Sequence, residues 1–425
     1  MTASPSSAPV LKSTDSPRLA LLVILAGVSA ALHVGKLAPA LPALQRSMEI
    51  SLLQAGFLLS LVQLAGMTLG LFVGLSADHL GLRRSMILGL MCLFVAGVAG
   101  SWAQSAVPLL AWRAAEGCGF LMVVTPAPSL VRQLVGPARL SAMLGMWGAY
   151  MPLGSGMAML IGPLLIDSAG WQGWWQALAA FAGLMALVLW RCVPPDATRR
   201  GRAPTAVPGQ HVADGWWRRL RQTLGTRGPW LIALCFAMYS GQWLAVVGFL
   251  PSIYTQAGIA PAVTGVLTAL VAGANMIGNI ASGRLLQGGW PARRLLLIGY
   301  GTMAVGALLT FSDLGGLHHD VISPIIRYLA VLMFSSIGGL IPGTLFSLAV
   351  RLAPNETTVS TTVGWMQQLS AFGQFVGPPA VAWVAHWAGG WTWTWLVTGA
   401  CSLVGSFLAV AVGRQLQNLP GRMAP

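Results

Sequence analysis

Four ionisable side chains lie inside long apolar stretches in the first half of the sequence. His33 and Lys36 are three residues apart, as are Arg113 and Glu116, so each pair would share one face of a helix. A charged side chain in the hydrocarbon of a membrane costs about 2.5 to 3.5 kcal/mol on the insertion scale and needs a partner or a wet cavity. Pairing Arg113 with Glu116 leaves the Lys36 ammonium without a counterion, which an anionic substrate could supply. Lys36 and Arg113 are therefore expected to bind substrate, and Glu116 and His33 to exchange protons.

Each of these side chains also has a structural interpretation. The stem of Lys36 could run along its helix so that the ammonium reaches the membrane surface. Arg113 and Glu116 could form a structural pair, and His33 could be a neutral packing residue. The spacing alone leaves these alternatives open.

The second half of the chain offers uncharged polar side chains for a facing wall. Gln242 follows His33 by 209 residues and stands in the same register of a weak internal repeat. Gln242, Asn275 and Gln367 are expected to exchange hydrogen bonds with a substrate. Because polar side chains also join membrane helices without any ligand, helix packing is the alternative role.

The elements that must hold these side chains follow from the composition. Of the 425 residues, 56% are hydrophobic and 8% are charged, and the mean hydropathy is +0.72. Soluble domains carry about 25% charge, so a soluble enzyme is excluded, and the charges show no clustered face for nucleic acid. A membrane-spanning helix needs about 20 apolar residues. Twelve such stretches cover residues 19–44, 54–77, 85–104, 107–130, 140–166, 173–193, 230–255, 261–286, 295–312, 322–350, 359–383 and 392–412.

The distribution of basic residues predicts the orientation and the domains. Most of the 24 Lys and Arg residues fall in the two tails and in the loops on the same side of the membrane as the tails. Cytoplasmic loops retain positive charge during insertion, so both termini are predicted to be cytoplasmic, in a bacterial inner membrane. The predicted parts are a tail (1–18), an N-terminal six-helix bundle (19–193), a linker (194–228), a C-terminal six-helix bundle (229–412) and a second tail (413–425).

A motif lies between the second and third apolar stretches and follows the pattern G-x-L-A-D-R-x-G-R-R. Gly74, Ala77, Asp78 and Gly81 keep its spacing, and Arg83 and Arg84 supply its two arginines one position later, after Leu82. Ser76 and His79 replace the usual Leu and Arg. With the repeat of the two halves, this motif makes the chain resemble the major facilitator superfamily over nearly its whole length. The resemblance implies that Asp78 and the two arginines form a latch between bundles that opens and closes during transport; anchoring of the loop is the alternative.

The resemblance also implies a fold and an activity. The expected fold is an all-α polytopic membrane protein with twelve transmembrane helices in two pseudo-symmetric six-helix bundles. The expected activity is secondary active transport by alternating access, as proton-coupled uptake of a small organic, anionic solute. Proton-coupled efflux of an amphiphilic or drug-like compound is the first alternative, and a non-transporting membrane receptor is the second.

Other classes of chemistry are not expected. No Walker sequence or converging set of catalytic groups is found, so the chain is predicted to be neither an enzyme nor dependent on a cofactor. His318, His319 and Asp320 form only a weak metal motif in an outer loop, and no metal site is predicted. The expected partners are the small-molecule substrate, protons and the lipid bilayer, without nucleic acid, and the chain is expected to be a monomer.

Overall fold

The protein is helical wherever its structure is described. The computed structural model describes residues 16–70, 80–136, 139, 143, 146–196, 212–312, 323–355 and 358–418, and every regular element in these ranges is a helix. Gly74 and Asp78 of the motif lie outside the described residues, as do His318, His319 and Asp320.

The helices are numbered α1 to α13 along the chain. The first half contains α1 (Pro17–Met48), α2 (Leu52–Gly70), α3 (Leu82–Ser101), α4 (Ala106–Leu134), and α5 (150–169) and α6 (171–192), which together form the run Tyr150–Cys192. The second half contains α7 (Val212–Leu224), α8 (Arg227–Gln256), α9 (Pro261–Gln287), α10 (Ala292–Phe311), α11 (Pro324–Leu352), α12 (Val359–Trp387) and α13 (Trp391–Gln417).

Twelve of the described helices are long enough to cross a membrane. Ten continuous helices qualify by length and composition, including the 43-residue run Tyr150–Cys192. That run is about 65 Å long at 1.5 Å per residue, twice the thickness of the hydrocarbon, and Gly170 breaks it with φ 71° and ψ 172°. The left-handed φ at this point suits glycine, which has no Cβ. α12 supplies the remaining span with 29 residues that include no Asp, Glu, Lys or Arg, so the predicted fold is confirmed.

Each half of the chain forms a bundle, and two of the helix pairs between the bundles cross closely. α2 packs against α12, and α5 packs against α9. Both crossings are close: a Cβ on Gly56 would lie 2.9 Å from the Cα atom of Pro379, and one on Gly265 would lie 3.0 Å from the carbonyl oxygen of Met159. Small residues allow such close approach of membrane helices.

The bundles share an apolar core at one end of the molecule. We call the end at which α1 begins and α13 ends the terminal end, and the opposite end the distal end. At the distal end, Leu41 and Leu44 of α1 belong to the same apolar cluster as Val247 and Leu250 of α8. At the terminal end, the N-terminal bundle has a separate cluster built from first-half residues. Apolar packing therefore joins the bundles at the distal end; which end faces the cytoplasm stays a prediction.

A short basic helix, α7, lies within the segment predicted as a linker. Its sequence is VADGWWRRLRQTL, and it packs against the C-terminal bundle. The indole Nε1 of Trp230 donates to the carbonyl oxygen of Leu224 at 2.8 Å, and the amide of Asn355 donates to Gln222 at 3.2 Å. The domain boundaries stay predictions, whereas this helix was not predicted because Pro and Gly dominate the segment before it.

Candidate functional site

Lys36 lies at an interruption of α1. The helix is regular over Pro17–Gly35 and again over Leu37–Met48. Pro39 and Pro42 have no N–H group, so the carbonyl groups four residues before them lack their usual partners. The indole Nε1 of Trp174 donates to the carbonyl oxygen of Lys36 at 3.0 Å. α6 therefore holds α1 at the residue whose side chain enters the bundle.

Glu116 of α4 is the centre of a buried cluster and contacts both cations. Its Oε2 accepts a hydrogen bond from Nη1 of Arg113 at 2.6 Å, and its Oε1 accepts one from Nζ of Lys36. The expectation that Lys36 lacks a counterion is therefore wrong. That expectation rested on spacing within single helices, whereas α1 and α4 pack so that one carboxylate reaches a cation on each.

His33 completes the cluster as a neutral acceptor. Its Nε2 lies 3.3 Å from the carbonyl oxygen of Leu178, which can only accept, so we assign the proton to Nε2. Its Nδ1 then accepts from Nζ of Lys36 at 3.4 Å, and it lies 3.4 Å from Oε1 of Glu116. The structure thus brings together all four ionisable residues that the sequence singled out in the first half.

The cluster is enclosed by the N-terminal bundle. His33, Lys36, Arg113 and Glu116 are each at most 1% exposed. Nζ of Lys36 lies 4.4 Å from the centre of the Trp175 ring, a cation–π contact. Since the ammonium is fully buried, Lys36 does not reach the membrane surface in this conformation.

One donor of the cluster has no partner. Nε of Arg113 donates to the carbonyl oxygen of Leu58 at 3.2 Å, and Nη1 also donates to that of His33 at 2.7 Å. Nη2 of Arg113 is buried without a hydrogen-bond partner among the described residues, which costs about 1 to 3 kcal/mol. With His33 assigned as neutral, two cations face one carboxylate and the assigned charges of the cluster sum to +1.

Two of the polar residues expected on the facing wall already have partners inside the C-terminal bundle. Oε1 of Gln242 accepts from the hydroxyl of Ser402 at 3.0 Å. Nδ2 of Asn275 donates to the hydroxyl of Tyr239 at 2.8 Å and to the carbonyl oxygen of Ser335 at 2.9 Å. Gln242 contacts α13, the last helix of its bundle, and His33 contacts α6, the last helix of the other bundle. This correspondence agrees with their shared position in the internal repeat. The structure does not bring these two residues to the Lys36 cluster.

Gln367 of α12 faces the space between the bundles. Its neighbours Gln368 and Ser370 contact α2 and α8 respectively, and Gln367 lies between these two faces of the helix. At 100° per residue it is about 160° from the exposed apolar side of α12, which carries Phe372 and Trp383. Gln367 is nevertheless exposed. Its exposure therefore indicates an opening between α2 and α8, two turns from the terminal end.

The described part of the motif joins α3 to the end of α6. The carboxylate of Asp196 accepts from the backbone N–H groups of Arg83 and Arg84 at 3.1 and 3.2 Å. The guanidinium of Arg83 donates to the carbonyl oxygens of Leu189 and Trp190. Gly81, with φ 95°, leaves room for the carboxylate. Asp196 was missed because it stands far along the chain, in a segment whose composition indicates only a linker.

A set of glutamines lies between the bundles, and Gln63 and Gln368 of this set were missed. Nε2 of Gln63 on α2 donates to Oε1 of Gln374 on α12 at 3.0 Å, and Nε2 of Gln368 donates to the carbonyl oxygen of Met67 at 2.8 Å. Their only signal in the sequence is an amide side chain within an apolar stretch.

Comparison with protein families and curated proteins identifies similar chains. The family model of the Major Facilitator Superfamily matches residues 19–371. The cyanate transport protein CynX of Escherichia coli (strain K12) is 23% identical over 59% of this chain and 62% of its own length. The 2-nitroimidazole transporter of the same strain is 26% identical over 55% and 56%, and a methylenomycin A resistance protein of Streptomyces coelicolor is 25% identical over 39% and 35%. The chain thus covers less than two thirds of the length of each of these relatives.

Solved structures resemble the protein over nearly its whole length. A bacterial homologue of the human lysosomal transporter Spinster, inward-facing and occupied, has a TM-score of 0.77 at 14% identity and covers 95% of this chain and 99% of its own. A D-xylose-proton symporter has a TM-score of 0.69 at 16% identity, covering 92% and 96%. At these identities the likeness is one of fold alone.

Proposed function

Since the chain belongs to the major facilitator superfamily and is a multi-pass membrane transporter, we propose that it takes up a small organic anion together with a proton by alternating access. The observation that carries the proposal is the buried cluster in which Lys36 and Arg113 share the single carboxylate of Glu116; with His33 assigned as neutral, its charges sum to +1. One relative is a cyanate transport protein, and cyanate is an anion, which agrees with this choice.

An anion bound near the cluster would cancel its excess charge. An uncompensated charge within the membrane costs about 2.5 to 3.5 kcal/mol, so a site of net charge +1 favours an anion over a neutral solute of the same shape. The unpartnered Nη2 of Arg113 supports this reading, because it can donate to a further acceptor. We propose that Lys36 and Arg113 attract the anion once the bundles move apart and uncover the cluster.

The same charge count bears on the proton. Protonating Glu116 or His33 would raise the buried charge from +1 to +2, whereas loss of a proton from Lys36 would lower it to zero. The guanidinium group of an arginine does not release its proton in proteins. We therefore propose that Lys36 is the group that gains and loses the proton, and that Glu116 and His33, which both lie at its Nζ, pass the proton to and from it.

The use of lysine in the sequence supports this role. Lys12 and Lys36 are the only lysines among the 24 basic residues of the chain. Arginine therefore serves at nearly all positions that need a permanent positive charge. A lysine in the buried cluster is the exception, and it differs from arginine in that it can release its proton when it is buried.

These charge states give a minimal transport cycle. The loaded carrier holds protonated Lys36 and the anion, so the cluster and its ligand are neutral together. The empty carrier returns with deprotonated Lys36 beside the neutral pair of Arg113 and Glu116. Because neither form carries a net charge across the membrane, one anion moves with one proton.

The path of the anion is proposed from the exposed polar residues. Gln367 borders the opening between α2 and α8 and is our first choice for a contact from the C-terminal bundle. Gln242 and Asn275 would contact substrate only after exchanging their present hydrogen bonds. Gly74, Asp78, Gly81, Arg83 and Arg84 are proposed as the conformational switch; the contacts of Arg83 and Arg84 with the end of α6 support the basic part of this role.

Proton-coupled efflux is the second candidate. The methylenomycin A resistance protein among the relatives favours it. We propose a bacterial inner membrane as the location, cytoplasmic termini and a monomeric carrier in either case.

Two measurements on the purified protein test the proposed function. A thermal unfolding screen compares small carboxylates with neutral solutes of similar size, because a ligand that binds the folded state raises its unfolding temperature. Proteoliposomes with imposed pH gradients then distinguish uptake from efflux. The efflux alternative would replace the anion proposal if only neutral amphiphiles stabilised the protein and if the imposed pH gradient drove their export.

A further inference from the structure

A groove lies at the terminal end, where α7, α8 and α13 meet. Its volume is about 560 Å³, and its walls include Arg227, Trp230, Leu231 and Arg414. A second cavity of about 770 Å³ lies along α7 and adjoins the first through Leu224. The hydrogen bonds of Trp230 and Gln222 hold α7 against the bundle, so the groove is a fixed feature of the described structure.

The groove concentrates positive charge. Arg227 and Arg414 line the first cavity, and Arg218 and Arg221 line the second. All four are exposed, and none has a carboxylate within 4.0 Å among the side chains that the structure describes. Four guanidinium groups in adjoining cavities form a site for an anion, because guanidinium matches phosphate through paired N–H donors.

The walls between these cations are apolar. Leu220, Leu224, Leu231 and Ala411 line the two cavities, and Trp217 is 63% exposed at their edge. Exposed tryptophans at the ends of membrane helices lie at the level of the lipid headgroups, and basic amphipathic helices lie in the same layer. A soluble anion would gain nothing from these walls, whereas a lipid would place its glycerol and upper acyl carbons against them.

We propose that this groove binds the headgroup of an anionic phospholipid, with the phosphate between Arg227 and Arg414 and the acyl chains along the outer surfaces of α8 and α13. Basic pockets between membrane helices are known to hold anionic headgroups. A bound lipid would fasten α7, and with it the segment between the bundles, to the membrane surface. This proposal does not depend on the substrate or on proton coupling.

The test measures lipid binding to the full-length protein in detergent. Dioleoyl phosphatidylglycerol is added in steps, with dioleoyl phosphatidylcholine and inorganic phosphate in parallel, and thermal unfolding and the number of lipids retained in native mass spectrometry are recorded. We expect phosphatidylglycerol to raise the unfolding temperature and to remain bound. In Arg227→Gln/Arg414→Gln, its apparent affinity should fall about 25-fold, at about fivefold for each arginine.

A matched pair of substitutions controls for total charge. Arg284→Gln/Arg294→Gln removes two exposed arginines from the same end of the molecule, outside the groove, and should leave phosphatidylglycerol affinity within twofold of the unmodified protein. Equal loss in both double variants would overturn the proposal, as would equal stabilisation by phosphatidylcholine. Stabilisation by inorganic phosphate alone would show a soluble-anion site in its place.

Discussion

Replacing Lys36 with arginine tests the proposed proton carrier directly. Arginine keeps the positive charge of the cluster but does not release its proton in the pH range of a transport assay. The empty carrier would then return with a buried charge of +1 in place of zero. A charge within the membrane costs about 2.5 to 3.5 kcal/mol, and the same increase in the barrier slows the return of the empty carrier about 70- to 400-fold.

Two transport assays separate this step from substrate binding. For one anion carried with one proton, the steady-state accumulation ratio rises about tenfold for each pH unit of imposed gradient. We expect the unmodified protein to show this rise and Lys36→Arg to show almost no proton-driven net uptake. Exchange of labelled for unlabelled anion uses only the loaded carrier, so its rate in Lys36→Arg should stay within a few-fold. Lys12→Arg makes the same substitution in the N-terminal tail and should change neither assay.

The outcome that refutes this reasoning is normal proton-driven accumulation by Lys36→Arg. The proton would then travel on Glu116 or His33, and the charge count would not govern coupling. Lys36→Met provides a check on folding, because it leaves the neutral pair of Arg113 and Glu116 and should unfold near the temperature of the unmodified protein. A large drop in that temperature would show that the ammonium is needed for stability.

Three further predictions concern stability, measured by unfolding in detergent. Glu116→Gln leaves two buried cations without their shared carboxylate and should lower the free energy of unfolding by about 3 to 5 kcal/mol; an unchanged value would mean that the cations are not charged in the folded state. Asp196→Ala removes the acceptor at the start of α3 and should cost about 1 kcal/mol, whereas Asp196→Asn, which keeps an acceptor oxygen, should cost less. Gly56→Ala places a Cβ 2.9 Å from the backbone of Pro379 and should cost about 1 to 3 kcal/mol. In contrast, Gly273→Ala meets no atom within 4 Å and should be neutral or stabilising; equal effects of the two glycine substitutions would contradict the close crossing of α2 and α12.

The sequence was sufficient for the fold because membrane spans are set by length and composition. α12 contains no charged residue over 29 positions, and such a stretch has few alternatives to crossing the bilayer. The three-residue spacing of His33 and Lys36, and of Arg113 and Glu116, also indicated correctly that each pair lies on one helix face. Both inferences use only contacts within one helix or between a helix and lipid, which local sequence encodes.

Contacts between helices far apart in the chain could not be predicted in this way. Asp196 reaches the N–H group of Arg84 over 112 positions, and Gln63 reaches Gln374 over 311. Lys36 and Glu116 are 80 positions apart, and their contact depends on the side of α1 that packs against α4. Each such contact depends on the rotation of two helices about their axes, and no single stretch of sequence specifies that rotation.

The internal repeat shows that the bundle does not need the charged cluster in order to pack. Ala245 stands 209 positions after Lys36, and Ala330 stands 214 positions after Glu116, the same distance that separates Arg327 from its first-half counterpart. Both alanines are buried, at 0% and 5% exposure, and Arg327 donates instead to the carbonyl oxygens of Thr310 and Ser312. The second half thus builds the same arrangement with alanine at both of these positions. A buried ion pair is at best a weak source of stability compared with apolar packing. The charges of the first half are therefore better explained by transport than by folding. Proton coupling would then arise in the first half, because its cluster can change its charge.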